Sequence, residues 1–536
     1  ATFSRPVRWL VALHGAAVVP MSFAGLAAGR ATRGLRPAGS PARRVAEAAD
    51  HPKLMRALGV VLDPGARASE IERQVADAAR TLGGRVQADP GLLAEVTQLV
   101  EQPKAIAGRF DEAFLDLPDA LLITVMRKHQ RYFAVWADGE GGDRLLPGFV
   151  AVANGATVDE DAVRHGNEAV LRARLADAAY FWERDRRQPL SAFTPRLEGL
   201  TFQSELGSMG DKVRRLERLV ARLADRLGVA DADRADALRA AGLAKSDLAT
   251  AMVVDFTSLQ GVMGREYALC SGEPPAVAEA IREQYLPRGA DDALPRSVAG
   301  TLLALADRLD SLVGLFAVGL KPTGAQDPYA LRRTALGITR IAAEQGLMLD
   351  LAEAVDDAAS ELPIPVEPEQ RADVLAFLRT RFDGQLRDAG YPADVVAAVL
   401  AARAARPAAA LAAVEAMAAR RAGPGWARTL DAYARCARLV RGQAAVGAPP
   451  PPEAPGDPAE LALRAALAGA VEGLDPRDPV AVLDALEALA PAIERYFDEV
   501  LVMSEDDAER AGRLALVAAI ARLPHAVADL GEMEGF

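Results

Sequence analysis

Histidine and cysteine are nearly missing from this 536-residue sequence, which holds five of the first and two of the second. Cys270 and Cys436 lie far apart and form neither a metal-ligand nor a redox spacing, which fits a reducing compartment. His14, His51, His129, His165 and His525 leave the interval between 166 and 524 without a single imidazole. A hydrolytic metal centre there would rest on carboxylates alone, a weak site for hard cations only. Aromatic residues make up 5% of the chain, and only six lysines accompany the many arginines. No apolar run reaches the ~18 residues of a membrane span. The chain is therefore expected to be cytoplasmic, with no membrane partner.

Phosphate-cradling loops are missing as well. "GSMGDK" at 207–212 does not have the G-x-x-x-x-G-K-[ST] spacing and reads as a tight turn before a helix starting near Asp211. Ser204 and Ser208 have no histidine in their segment to act as a base. Net charge is −12, which argues against indiscriminate nucleic-acid binding but leaves local patches open. Residues 401–445 carry eight arginines against Glu415 and Asp431, whereas "SEDDAE" at 504–509 makes the end acidic.

What is present divides into a mixed first region and a helical remainder. "VRWLVAL", "ALLITVM" and "GFVAVAN" are compact apolar runs that fit buried strands. "RASEIERQVADAARTLGG" has helical periodicity and a stop at Gly83–Gly84, and "NEAVLRARLADAAYFWERDRR" (167–187) predicts a long amphipathic helix. From about 188 the strand signals vanish. Asp327 and Pro328 mark a helix start, Gly346 a stop, and Pro407 a break in the Ala-rich helical stretch 393–422. "GAPPPPEAPGDP" (447–458) predicts an exposed polyproline-like connection. The fold class is multidomain and mostly α, with an amino-terminal α/β (α+β) region.

Two stretches concentrate cations. "TVMRKHQRYFAVW" sets Arg127, Lys128, His129, Gln130, Arg131 and Tyr132 side by side, either as a surface turn with solvated charges or as a nucleic-acid contact. In "RTLDAYARCARLVRG", Arg428, Arg435 and Arg438 fall near one helical face with Tyr433 close by. That row suits phosphate contacts with base stacking, or equally a solvated face over a helical core.

Together with "FSRPVRWLVAL", "FQSELGSMGDKVRRLERL", "AKSDLATAMVVDFTSLQGVMGREYA" and "RYFDEVLVMSEDDAERAGRLALVAAI", these stretches resemble the β subunit of bacterial tetrameric glycyl-tRNA synthetase over essentially the whole chain. Family members usually extend further at the amino end, and the sequence, which opens on Ala rather than Met, is read as amino-terminally truncated. The resemblance implies an α/β tRNA-contacting region at 1–187, similar to the phenylalanyl-tRNA synthetase editing-type fold, then an HD-like helical domain at 188–345. A helical connector at 346–424 and an anticodon-binding bundle at 425–536 would follow. Lys245, Ser246 and Asp247 stand where a working HD domain has its His-Asp pair, with Asp307 as the later carboxylate, so neither a metal nor a catalytic residue is expected. The tRNA-binding candidates are the 127–132 stretch and the three arginines of 428–438. The resemblance further implies tRNA(Gly) and a glycyl-tRNA synthetase α subunit as partners in an α2β2 assembly, with ATP and Mg bound by that α subunit. Two other readings compete: an HD-type nucleotide phosphohydrolase, betrayed by metal-stimulated phosphate release, and a helical scaffold that binds only protein.

Overall fold

The computed structural model describes residues 7–36, 39–137, 144–155, 157–324, 326–441, 448, 450–451, 454 and 456–536. Two compact units emerge, one of Ala1–Gln188 with Thr250–Glu266 and one of Pro189–Ala249 with Tyr267–Phe536.

The first unit is built on an antiparallel sheet of β1 (Gly84–Val86), β2 (Pro103–Arg109), β3 (Phe133–Ala137) and β4 (Leu145–Asn154), in the order β1-β3-β4-β2. β2 and β4 are in register from Pro103↔Asn154 to Arg109↔Gly148. Helices α1 (Pro64–Thr81) and α2 (Pro90–Leu99) cover the sheet through Ile71, Val75, Leu92 and Val96, which close over Phe133, Val135 and Val150. Asp63 and Asp89 cap these helices, each followed by a proline at the first helical position. "GFVAVAN" is part of β4 as expected, but "ALLITVM" is not a strand. It forms α3 (Asp119–Thr124) and runs on into a wider, π-type turn over Val125–Gln130. Its buried residues Leu121, Leu122, Val125 and Met126 repeat at helical spacing, and Pro118–Asp119 supply the start. "VRWLVAL" also shrinks, to the two-residue strand Leu13–His14 in a small hairpin with Ala17–Val18. Val11 adds a single bridge to Gly29, and Trp9 is 40% exposed, so the run is not a buried strand.

α4 (Glu160–Asp185) is the long helix anticipated, with Leu171, Leu175, Ala178 and Trp182 inward, although Val170 faces out. Its last residue, the buried Asp185, accepts the N–H groups of Ala251 (3.1 Å) and Met252 (2.9 Å). That pair of hydrogen bonds draws Thr250–Glu266 into the first unit.

The second unit is helical apart from the short pair Thr201–Gln203 and Gly207–Ser208. Its first half is α5 (Met209–Arg226), α6 (Asp231–Leu243), α7 (Pro275–Glu283), α8 (Val298–Ala317) and α9 (Leu331–Glu344). α8 is buried along most of its length, packed against the other four. α9 opens at Leu331 rather than at Pro328, because Ala330 is left-handed (φ 55°) and Asp327 caps from outside, accepting the N–H groups of Leu331 and Arg332. The second half contains α10 (Leu351–Glu361), α11 (Pro368–Asp388), α12 (Ala393–Arg403) and α13 (Pro407–Arg421), then α14 (Trp426–Val440), α15 (Pro458–Val471), α16 (Pro479–Glu499) and α17 (Asp507–Arg522). Cys436 sits in the core of this last bundle, where burial pushes its thiol up to about 12. Of the proline-rich stretch, residues 447, 449, 452, 453 and 455 lie outside the described residues, and Pro458 opens α15. Among the described residues no helix is long and apolar enough to cross a membrane.

Candidate nucleic-acid interface

The cationic stretch of the first unit sits on the π-type turn and its exit. The Tyr132 N–H donates to the Met126 carbonyl across 2.9 Å, and Arg131 ends the turn in the left-handed region (φ 59°). Arg127 donates from Nη2 to Asp89 Oδ1 (2.9 Å) and from Nε to Oδ2, at the start of α2. These bonds hold the Asp89 carboxyl below its ordinary range. Arg131 reaches Glu95 Oε1 across 2.8 Å, and Lys128 is exposed at the tip of the turn. His129 meets Phe256 edge-on at 5.1 Å, and burial, then Arg174, lowers its pKa, which favours a neutral imidazole at pH 7. Tyr132 is 6% exposed and stacks on Phe149 at 4.6 Å, its hydroxyl pushed up to about 12 by burial. Its ring contributes with Arg127, Phe133 and Trp136 to a hollow of about 210 Å³.

Arg127 and Tyr132 thus shape the turn, whereas Lys128 and Arg131 present charge outward. The Arg131–Glu95 pair is about half exposed and worth at most about 1 kcal/mol. Lys128→Ala with Arg131→Ala is therefore expected to shift Tm by no more than about 2–4 °C while flattening the salt dependence of RNA binding. Arg127→Ala should lower Tm further, because it strips Asp89 of its partner. Differential scanning fluorimetry beside a salt titration separates the two.

The positions that the family resemblance marks, Lys245, Ser246, Asp247 and Asp307, lie together in the second unit. Lys245, left-handed at φ 63°, sends Nζ to Asp307 Oδ2 (2.8 Å) and lies 4.0 Å from the Tyr285 ring centroid. Ser246 Oγ is 2.8 Å from Thr194 Oγ1, and Asp247 is buried beside them. From α5, Lys212 Nζ reaches Asp310 Oδ2 (2.8 Å), Ser311 Oγ (2.8 Å) and Asp307 Oδ1 (3.1 Å), and Arg215 Nε reaches Asp310 Oδ1 (2.5 Å). Burial alone would raise the Asp307 pKa, but the two ammonium groups overcome it and hold this carboxyl below the ordinary range. Burial likewise opposes charge on Lys212, and Asp307 and Asp310 outweigh it and raise its pKa. For Lys245 burial wins and its pKa falls. These donors do not suit a divalent pair: the carboxylates already face fixed ammonium and guanidinium groups, and no imidazole is at hand. "GSMGDK" is the turn expected, with Gly207 at φ 86° and Ser208 capping α5 in a reciprocal pair with Asp211.

In the last bundle, Arg428, Arg435 and Arg438 lie along α14. Arg428 Nε meets Glu494 Oε1 (2.7 Å), and Arg435 meets Asp498 (3.2 Å) while its guanidinium covers the Phe497 ring at 4.8 Å. Arg438 and Arg441 both lie over Phe536, at 5.4 and 5.7 Å. Tyr433 is not the stacking neighbour. It is buried and donates to the Ala521 carbonyl (3.0 Å). Phe497 and Phe536 take that place, together with Arg441. Sequence spacing on one helix could have reached Arg441, which follows α14 directly, but not the two phenylalanines, which come from other parts of the chain.

Residues 1–401 match the family model described as glycyl-tRNA synthetase beta subunit, and residues 429–530 match the DALR anticodon binding domain. The chain belongs to the glycyl-tRNA synthetase β-subunit family. It is 43% identical to the glycine–tRNA ligase beta subunit of Desulforudis audaxviator and 42% identical to that of Moorella thermoacetica, each over 99% of this chain and 77% of the relative. It is 40% identical to the chloroplastic/mitochondrial glycine–tRNA ligase 2 of Arabidopsis thaliana, over 100% of this chain and 50% of that protein. Membership makes the chain a subunit of a ligase, an aminoacyl-tRNA synthetase. The segment matching the anticodon-binding model holds Arg435, Arg438, Arg441 and Phe497, while Arg428 and Phe536 flank it.

Proposed function

We propose that the chain binds tRNA(Gly) in the cytoplasm and presents it to a glycyl-tRNA synthetase α subunit within an α2β2 assembly. On this reading the α subunit holds ATP and Mg and forms the glycyl adenylate. The observation that carries the proposal is the row Arg435, Arg438 and Arg441 laid over Phe497 and Phe536, whose three arginines and Phe497 fall inside the segment that matches an anticodon-binding domain. Guanidinium groups laid on aromatic faces offer phosphate contact and a stacking platform in one place. The division of labour draws support from the Arabidopsis ligase, half of which lies outside the match. The exposed turn at Lys128 and Arg131 supplies a second patch for the RNA backbone.

The test is a panel of tRNAs at fixed salt, in which tRNA(Gly) should bind most tightly, followed by a salt titration of Arg435→Ala with Arg438→Ala. Each lost phosphate contact should lower the slope of log K against log salt by about 1 and weaken binding across all tRNAs. An unchanged slope in the double variant would remove the anticodon bundle from the interface.

A further inference from the structure

A groove on the first unit runs between the outermost strand of the sheet and the flank of a helix. β1 pairs with β3 and, among the described residues, has no strand on its other side. Beside it lies a hollow of about 420 Å³, within the roughly 300–1,000 Å³ span of clefts that hold ligands. Its floor is aliphatic, formed by Ile71 and Val75 of α1, Val86 of β1 and Leu93 of α2, with the Phe133 ring. Glu72, Ala76 and Arg80 recur every fourth residue along α1 and form its wall.

The charges at the two ends differ. α1 and β1 are consecutive and run in opposite directions, so Arg80 stands at one end, with Glu72 and Asp89 at the other. Arg80 also pairs with Asp77, but both side chains are widely exposed and such a pair is weak. Asp89 is held by Arg127. One cation against two carboxylates disfavours a polyanion, and the floor offers a base only one aromatic ring. A strand edge beside an apolar slot suits an extended peptide, whose backbone pairs with the edge while alternate side chains enter the slot.

We propose that this groove binds an extended peptide segment as a fifth strand, antiparallel to β1. An apolar side chain fills the hollow, and the peptide's carboxylate end lies at Arg80. The direction follows from the charges: a chain with its carboxylate at Arg80 runs from the Asp89 end toward Gly84, opposite to β1, and so continues the antiparallel sheet.

The test uses the full chain and N-acetylated hexapeptides alternating threonine with leucine, valine or phenylalanine, each made with a free or an amidated carboxyl end. Isothermal titration calorimetry should find binding of a free-carboxylate peptide, weakened about fivefold by amidation or by Arg80→Glu. Hydrogen exchange should slow at residues 84–87. Ala76→Arg, at an exposed position of the wall, should reduce binding at least tenfold with an unchanged Tm, so lost binding cannot be blamed on misfolding. No binding by any peptide of the panel, or binding indifferent to Ala76→Arg, overturns the proposal. Equal binding of free and amidated peptides overturns the assigned direction, and displacement by a single-stranded oligoribonucleotide would reassign the groove to RNA.

Discussion

Asp310→Asn is expected to destabilise the helical half around α5 and α8 by about 3–5 kcal/mol, the cost of leaving buried charges without their counter-ion. Asp310 is 1% exposed and answers both Lys212 and Arg215, themselves 2% and 3% exposed. After the change Lys212 is left with Asp307, which Lys245 already engages, and Arg215 with the Leu206 carbonyl. The chain has two units, so a single melting curve mixes transitions. Hydrogen exchange of the amides in 209–226 and 298–317 reads the affected region directly, and protection there should collapse while the first unit keeps its own. Arg214→Ala is the control. Arg214 pairs with Glu198 and Asp211 in the same helical region but is half exposed, so its loss should be far milder. Acid should spare the cluster at first. The depressed Asp307 carboxyl stabilises the fold above the unfolded carboxylate pKa of about 3.9, and that contribution is lost only as pH falls through its lower folded value. Wild-type exchange rates in Asp310→Asn would mean that the cations find other partners.

Where periodicity was long, the sequence was easily read. α4 carries its inward residues, Leu171 to Asp185, at helical spacing over about four turns, and β4 is an apolar run whose type its neighbours do not contradict. "ALLITVM" is too short for its period to be decisive, and the deciding signal lies outside the run, in Pro118 and Asp119. The candidate sites were legible as positions rather than as environments. Arg428 and Arg435 stand on one face of α14, but Glu494, Phe497 and Asp498 come from α16, more than fifty residues along the chain. Likewise the Lys245–Asp307 contact joins positions the family resemblance had marked, whereas Lys212 and Arg215 lay unmarked in an ordinary amphipathic helix. Partners brought together by tertiary packing leave no local pattern to read.

Glycine-dependent ATP–pyrophosphate exchange by the purified chain should stand at background. Adenylation needs a site that aligns a carboxylate with the ATP α-phosphate and offsets the charge developing in the transition state. The glycine turn at 207–210 does not cradle phosphate: Gly207 and Ser208 form the cap of α5, and the Ser208 hydroxyl faces the Glu198 and Asp211 carboxylates, which would repel it. The buried carboxylates of α8 are no better placed, because their oxygens face the ammonium groups of Lys212 and Lys245 and the guanidinium of Arg215. A nucleotide's Mg would have to displace those cations from a closed interior. Exchange should rise when a glycyl-tRNA synthetase α subunit is added, whereas aminoacylation should also require the α14 row that the proposed tRNA contact uses. Arg435→Ala with Arg438→Ala should then lower aminoacylation by the assembled enzyme more than it lowers exchange, since only the first reaction involves tRNA. Exchange by this chain alone, persisting after repeated purification away from other synthetases, would sink the division of labour. Equal losses in both reactions would instead make the arginine row a contact between subunits.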